Sequence, residues 1–472
     1  MLMLSDVLQA LTGKKFANTA LVISDAVIDS RQAIPASLFI AIEGERTDGH
    51  NYLATAFENG AHLALIQHDV DASITVVDLR SPLPADFTFP AGPFALRVED
   101  TVASLQKIAA WWRSQLNLRV IGITGSVGKS TTKELVAEVL GQRYRTVKNL
   151  GNLNNELGVP LTLLKLTQGS ECAVVEMGFY QPGDITDLCT MAKPQVGILT
   201  NIGTVHASRA GSQEAIAQGK SELVKALPAA PEGTAILNYD DPWIRPMAEM
   251  TQAKVFFYGL DPKADLWADN IEGNGLEGIT FTVHYHDDVF NLKVPLIGQH
   301  SVHTALRAIA AGLVLGLSWG EIITGLQNSS SQLRLVAVNT QQGALMLDDT
   351  YNASPESTLA ALNLLAEIPG RRIAVLGGMF ELGQYEQNGH EMVGIRASEV
   401  ADLLVTLGDN GKMISAAALG SGMPANKVQN FETTDQVVDT LRSTLKKGDV
   451  VLVKGSHGLR MDRIVSNLEV EE

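Results

Sequence analysis

Cysteine is almost absent. The 472-residue chain has two, Cys172 and Cys189, too few for a disulfide framework and without metal-site spacing. Both read as buried thiols, small apolar groups in effect, and they fit a reducing cytosol. A basic block is also lacking, and the formal net charge is −16. That excludes the electrostatic footprint of a nucleic-acid-binding protein. No apolar run approaches the ~20 residues of a membrane span, and no basic region precedes an apolar stretch and cleavage site at the N-terminus. The expectation is a cytoplasmic, monomeric protein with no membrane insertion. What is present is ordinary for a soluble globular chain: 45% hydrophobic and 19% charged residues, enough for roughly three domains of about 150 residues.

The pattern along the chain divides it at 1–97, 98–328 and 329–472. The first segment carries short strand-like runs at 38–42 and 61–66, a helix over 52–59 and a proline-bearing loop at 81–93. Glu99-Asp100-Thr101 then offers helix-start chemistry, and Val102, Leu105, Ile108, Ala109 and Trp112 recur at helical spacing. Trp111 and Trp112 read as packing residues. Strands at 120–123, 173–175, 196–199 and 235–237 alternate with helices, which indicates a mainly parallel, doubly wound sheet. From 267 to 296 the pattern turns to β alternation, an antiparallel excursion on the central segment. After a linker at 327–331 the αβ rhythm resumes, with strands at 344–347, 373–376, 403–406 and 450–453. The fold class is therefore α/β in three domains.

The strongest chemical signal is Thr124-Gly125-Ser126-Val127-Gly128-Lys129-Ser130-Thr131. A strand enters it and a helix leaves it, the context of a phosphate-binding loop. Gly125 and Gly128 let backbone amides turn inward, and the helix N-terminus adds partial positive charge. Lys129 can reach terminal phosphates, and Ser130 can ligate Mg²⁺. Ile123 stands where the common pattern has glycine, so the loop is a shorter variant. Glu176 ends one apolar strand, and His206 follows another through Thr200-Asn201-Ile202-Gly203-Thr204-Val205. Strand C-terminal ends face the ligand crevice in such sheets, so a carboxylate and an imidazole there can hold a metal against phosphate oxygens. Taken alone, His206 reads as a structural histidine and Lys220 as a solvated helix lysine.

These segments resemble the Mur ligase family. Gly151-Asn152-Leu153-Asn154-Asn155-Glu156-Leu157-Gly158, Asp348-Asp349-Thr350-Tyr351-Asn352-Ala353-Ser354-Pro355 and Val375-Leu376-Gly377-Gly378-Met379-Phe380-Glu381-Leu382-Gly383 are similar to the branch that adds D-alanyl-D-alanine. The matching series runs from Asp29-Ser30-Arg31 to Lys454-Gly455-Ser456. The resemblance implies a small N-terminal domain for the UDP end of a substrate, a central P-loop ATPase domain and a Rossmann-like C-terminal domain. It implies ATP and Mg²⁺ as cofactors, and UDP-N-acetylmuramoyl-tripeptide and D-alanyl-D-alanine as substrates joined through an acyl phosphate. The product is the pentapeptide precursor of peptidoglycan.

The resemblance also implies roles. Ser130 and Glu176 would bind Mg²⁺ with His206 near a second ion, and Lys220 would be carboxylated and serve as an oxygen ligand. Asn152, Asn154, Asn155, Tyr351 and Asn352 would face substrate. Asn238, Asp241, His300, Arg334 and Asp349 would face the nucleotide. Ser30, Arg31, Thr47, Asp48, Gly49 and His50 would hold the UDP end. Four places depart from the family pattern. His300-Ser301-Val302-His303-Thr304-Ala305 stands for His-Asn-x-x-Asn-Ala, Ser354 for asparagine, Gly378 for aspartate and His457 for arginine. Two other readings compete: a sister ligase that adds the third amino acid, meso-diaminopimelate or lysine, and a non-catalytic nucleotide-binding protein. The sister ligase's Asp-Asn-Pro-Arg motif is absent.

Overall fold

The computed structural model describes residues 1–470 apart from 17–18, 45–46, 85, 205–206 and 329–335. His206 and Arg334 therefore lie outside the described residues. Three sheets organise the rest. The first is wholly parallel, in the order Ala26–Val27, Leu38–Ile40, Leu63–Ile66, Phe94–Arg97, Val76–Asp78. Its strands alternate as pleating requires: Leu38, Ile40, Leu63 and Leu65 enter one core, and Phe39, Ala41, Ala64 and Ile66 another.

The central sheet has nine strands. Its parallel body includes Arg119–Thr124, Cys172–Glu176, Val196–Leu199 and Thr234–Asn238. The expected antiparallel excursion is the pair of hairpins formed by Leu266–Gly273, Ile279–Tyr285 and Asp288–Val294. The third sheet is parallel except for its edge strand Val336–Asn339, which runs antiparallel to Leu345–Asp349. Several strands go beyond the sequence expectation: Val76–Asp78, Thr146–Lys148, Lys254–Gly259 and Val428–Phe431. The helix expected over 52–59 begins instead as a 3₁₀ turn, Gly49–Tyr52, before Leu53–Glu58. Asp100 caps helix Thr101–Ser114 as expected, its carboxylate accepting from the Ala103 amide.

Two kinds of contact join the sheets. Leu4, Val7 and Leu8 of helix Leu4–Thr12 share one apolar core with Leu105, Ile108 and Trp112, and that core continues to Val175 and Leu199 beneath the central sheet. The C-terminal part meets the central part through polar groups as well as through Tyr385 and Ile297, each packed against the other part's core. Arg209 pairs with Glu381 at 3.2 Å, and the Gln384 amide donates to the Gly211 carbonyl at 3.4 Å. Burial of apolar surface resists opening because it re-exposes that surface to water. Polar contacts exchange readily with water, so relative motion is expected at the second junction.

Cys172 and Cys189 are both buried and free. Burial pushes their thiols up to about 11 and about 12, and the thiolate is the reactive form. Native protein at pH 8 should resist alkylation by iodoacetamide at both positions, and both should label once the chain is unfolded. Mass spectrometry of the two peptides checks this.

Candidate active site

The strand Arg119–Thr124 lies between Cys172–Glu176 and Val196–Leu199. The chain reaches these neighbours on opposite sides, which makes the C-terminal end of this strand a switch point and opens a crevice there. The glycine loop fills that position. Gly125 has φ +147, and a Cβ on it would lie 1.8 Å from Thr200 Oγ1. No side chain fits between the loop and the neighbouring strand end. Helix Lys129–Gly141 then leaves from Gly128.

The loop amides are not all turned inward. The Ser126 amide donates to the Asn201 carbonyl at 2.9 Å, and the Val127 amide to Asn201 Oδ1 at 2.8 Å. The Ser126 hydroxyl accepts from the Gly203 amide at 2.8 Å, and Thr124 Oγ1 donates to the Met177 carbonyl at 3.0 Å. Asn201 takes two of the amides to fix the loop's shape. The remaining loop residues sit at the positive end of the following helix. Lys129 Nζ is folded over the loop, donating to the carbonyls of Gly125 at 2.8 Å and Ser126 at 3.1 Å.

Glu176 is 1% exposed. Its Oε1 accepts from Asn154 Nδ2 at 2.8 Å. Its Oε2 has no hydrogen-bond partner and lies 3.7 Å from the ammonium of Lys133, which is itself buried. Asn149 holds the strand end in place: its Oδ1 accepts from the Glu176 amide at 2.9 Å, and its Nδ2 donates to the carbonyls of Leu153 at 2.7 Å and Glu176 at 3.1 Å. Asn155 Oδ1 accepts from the Gly158 amide at 3.0 Å, at the start of helix Gly158–Leu164. Asn152 is exposed nearby.

Lys220 is not a solvated lysine. It is 1% exposed, donates to the Gly125 carbonyl at 2.9 Å and lies 4.9 Å from the centre of the Phe179 ring. Gly219 makes this possible, since a Cβ there would meet the Phe179 ring at 2.1 Å. Burial, then the charge of Lys129, pushes the Lys220 ammonium well below its usual range.

A cavity of about 240 Å³ separates the loop from the C-terminal part. Ser126–Thr131 line one wall, Asp349, Asn352 and Lys454 the other, and His300, Ser301 and Thr304 a third. Lys454 is buried and donates to Asp349 Oδ2 at 2.6 Å and to the Asn352 carbonyl at 2.9 Å. Tyr351 is exposed, with its ring 6.4 Å from His457. The His300 imidazole is held down by desolvation, then by His303, Arg307 and Lys454, and is neutral at pH 7. Glu356 crosses the seam, its Oε1 accepting from the Thr204 amide at 3.1 Å.

Asn238 is buried just below, donating to the Thr200 carbonyl at 3.3 Å. Asp241 is engaged by the backbone beside the loop. Its Oδ2 accepts from the Ile202 amide and its Oδ1 from the Trp243 amide, both at 2.8 Å. The carboxylate is occupied by backbone and fixes the 201–204 segment.

Of the N-terminal residues, Ser30 is buried, Arg31 extends into solvent beside Asp29, and Thr47 Oγ1 donates to Tyr52 Oη at 3.2 Å. Asp48, next to Gly49, accepts from His50 Nδ1 at 2.6 Å and from His68 Nε2 at 2.8 Å. His50 Nε2 accepts from the Gln67 amide at 3.0 Å, which places the ring's own proton on Nδ1, facing Asp48. Both nitrogens of His50 are therefore engaged internally, so it braces this turn and does not offer a free ring to a ligand. The three side chains have metal-ligand spacing, but hydrogen bonds already satisfy them.

Sequence reasoning passed over Asn149, Asn201, Lys133, Lys454, Glu356 and His68. Asn201 and Lys454 stand within or beside the matched motifs. The others show themselves only when distant segments meet.

Replacing Asn149 by leucine strands the Glu176 amide, which should destabilise the fold by roughly 1–3 kcal/mol and lower Tm in a melting scan. The His68–Asp48 ion pair gives a pH signature. The Asp69 carbonyl raises the His68 pKa against desolvation, and Asp48 adds to it. Stability from this pair is fully present below about 6.5 and is lost as pH rises through the higher folded value. His68→Gln should therefore lower Tm most at acidic pH, by the equivalent of about 1 kcal/mol or less, with the deficit vanishing in alkaline buffer.

The comparisons with known proteins cover the whole architecture. Residues 123–312 match the Mur ligase middle domain, 333–457 the Mur ligase glutamate ligase domain, and 23–85 the Mur ligase family catalytic domain. The chain is 37% identical over 452 residues to the UDP-N-acetylmuramoyl-tripeptide–D-alanyl-D-alanine ligase of Synechocystis sp., covering 95% of this chain and 92% of that one. It is 34% identical to the Bacillus subtilis enzyme of the same name, covering 95% and 93%. Among solved structures, MurF from Acinetobacter baumannii superposes with a TM-score of 0.82 at 29% identity over 98% of both chains. MurF from Thermotoga maritima in complex with ADP gives 0.77 at 27%, over 94% of this chain and 96% of that one. By sequence, fold and the layout of the cleft, the chain belongs to the Mur ligase family of ATP-dependent ligases.

Proposed function

We propose that this chain joins D-alanyl-D-alanine to UDP-N-acetylmuramoyl-tripeptide, driven by ATP, to form the pentapeptide precursor of peptidoglycan. The observation that carries the reading is the cavity between the phosphate loop and the C-terminal part, in a chain similar over 95% of its length to enzymes named for that reaction.

A carboxylate is a poor electrophile: its charge repels an amine, and oxide is a poor leaving group. In the proposed reaction a tripeptide carboxylate oxygen attacks the γ-phosphorus of ATP and ADP leaves. The dipeptide amine then attacks the acyl carbon, loses a proton, and phosphate departs with its bridging oxygen. The acyl phosphate is sensitive to water, so closure of the C-terminal part over the loop protects it. Lys129 swings from its own loop carbonyls to the transferring phosphoryl group.

The residues present fit Mg²⁺. Glu176 Oε2 is a buried acceptor with no hydrogen-bond partner, and Ser130 stands at the start of the loop helix. We assign Ser130, Glu176, His206 and Lys220 to Mg²⁺, which when bound neutralises charge on the phosphoryl oxygens. The neutral Lys220 amine is the form that adds CO₂, and the carbamate supplies oxygen where the amine does not. Thr124–Thr131, Asn238, His300, Arg334 and Asp349 serve the nucleotide, with Asp241 acting through the 201–204 backbone. Asn152, Asn154, Asn155, Tyr351 and Asn352 serve the peptide ends. Ser30, Arg31, Thr47 and Gly49 hold the UDP end on a turn braced by Asp48 and His50. Working boundaries at 97/98 and 328/329, a monomeric state and a cytoplasmic location complete the proposal.

Phosphate release should require ATP, the UDP-tripeptide and D-alanyl-D-alanine together, and Lys129→Ala should lower kcat by about 100-fold or more. Release with a single amino acid but not with D-dipeptides would assign the chain to the third-residue ligases instead.

A further inference from the structure

Arg307 lies on helix Val302–Val314 and is 5% exposed. Among the described residues it forms no ion pair. Its Nη2 donates to Thr304 Oγ1 at 2.7 Å and its Nη1 reaches the Tyr258 hydroxyl at 3.5 Å. Its Nε has no partner. Burial pushes the Tyr258 phenol up to about 12, so Tyr258 is neutral and offers only its ring face, 5.8 Å from the guanidinium carbon, and no counter-charge. A buried cation without an anion is costly. This one is also badly placed for the empty protein: a Cβ on Gly128 would lie 3.4 Å from Nη2, and Gly128 opens the loop helix. The guanidinium thus stands beside the positive end of a helix dipole, within the same loop region as Lys129.

The neighbouring side chains explain what the arrangement is for. Ser301, Thr304 and Arg307 follow one another at three-residue spacing on one helix face. The first two line the cavity beside the loop, and both of their hydroxyls are engaged within the protein, Ser301 Oγ donating to the Ile297 carbonyl at 2.7 Å. The positive charge one layer behind them is what this face offers to an anion in the cavity.

We infer that Arg307 is a positioning residue for the nucleotide polyphosphate, supporting the phosphate loop at Gly128 and adding its positive potential to that of Lys129. This rests on the reading that the loop holds a nucleoside polyphosphate. Conflict among like charges in the empty protein becomes attraction when phosphates enter, since the Coulomb energy at these separations is large in a poorly solvated site.

Calorimetric titration with ADP in the presence of Mg²⁺, alongside melting of the unliganded protein, tests this in Arg307→Met, Arg307→Gln and Arg307→Lys. The expected result for Met and Gln is an ADP Kd raised about 10-fold or more, with an unliganded Tm equal to or above wild type. Lys, which keeps the charge, should recover most of the affinity. An ADP Kd within two-fold of wild type in the neutral variants overturns the inference. So does weaker binding that comes with a clear fall in unliganded Tm, the mark of a purely structural role, and so does Lys behaving like Met. Should Met fail to fold, Gln against Lys makes the same comparison. Wild-type protein that binds no ADP would instead remove the proposed function itself.

Discussion

Positive charge held out of water around one loop is the constraint on which the rest of the structure depends. Lys133, Lys454 and Arg307 are each at most 5% exposed, and Lys129 arches over the loop among them. The buried or part-buried carboxylates that face this group are Glu134, Glu176 and Asp349. In a chain of net charge −16, such a local excess of cations is not a by-product of composition. It is destabilising unless an anion completes it, and a polyphosphate with its metal does so. The loop's shape follows from the same demand. Asn201 and Gly125 fix the turn so that the helix end and the lysines converge on one point.

The architecture divides labour around that point. A continuous apolar core ties the first sheet to the central one, so the region assigned to the UDP end and the loop move as a unit. The C-terminal part contributes Asp349 and Lys454 to the cavity, yet is joined by exchangeable polar contacts such as Glu356 to Thr204. A ligase that must admit two peptide substrates and then exclude water needs that combination: a fixed phosphate site and a wall that can leave and return.

Much of this was legible in the sequence because it is local. A strand, a glycine turn and a helix start are contiguous, and Glu176 announces itself as an acid closing an apolar run. The antiparallel excursion and the Asp100 cap were equally plain. The edge strands Val76–Asp78 and Thr146–Lys148 were not, since three residues hold no period. The Val255-Phe256-Phe257-Tyr258 run was a fair strand signal. Lys220 was misread from sequence alone because a lysine on an amphipathic helix is ordinarily solvated. Its burial depends on Gly219 admitting the ring of Phe179, a contact between residues forty apart. His68 and Arg307 were missed for a related reason: Asp48, and Tyr258 with Gly128, reach them from distant parts of the sequence, and neither belongs to a motif. The internal hydrogen bonds of Asp241 and His50 were equally hidden, since their partners are set by the fold of the backbone around them.

The most direct test of the account follows the oxygen. With the tripeptide carboxylate labelled with ¹⁸O, turnover with ATP and D-alanyl-D-alanine should place one labelled oxygen in each released phosphate, because the carboxylate oxygen that attacks ATP departs with the phosphoryl group. Released phosphate without label would contradict the account, showing that the cleft hydrolyses ATP with water and does not activate the carboxylate.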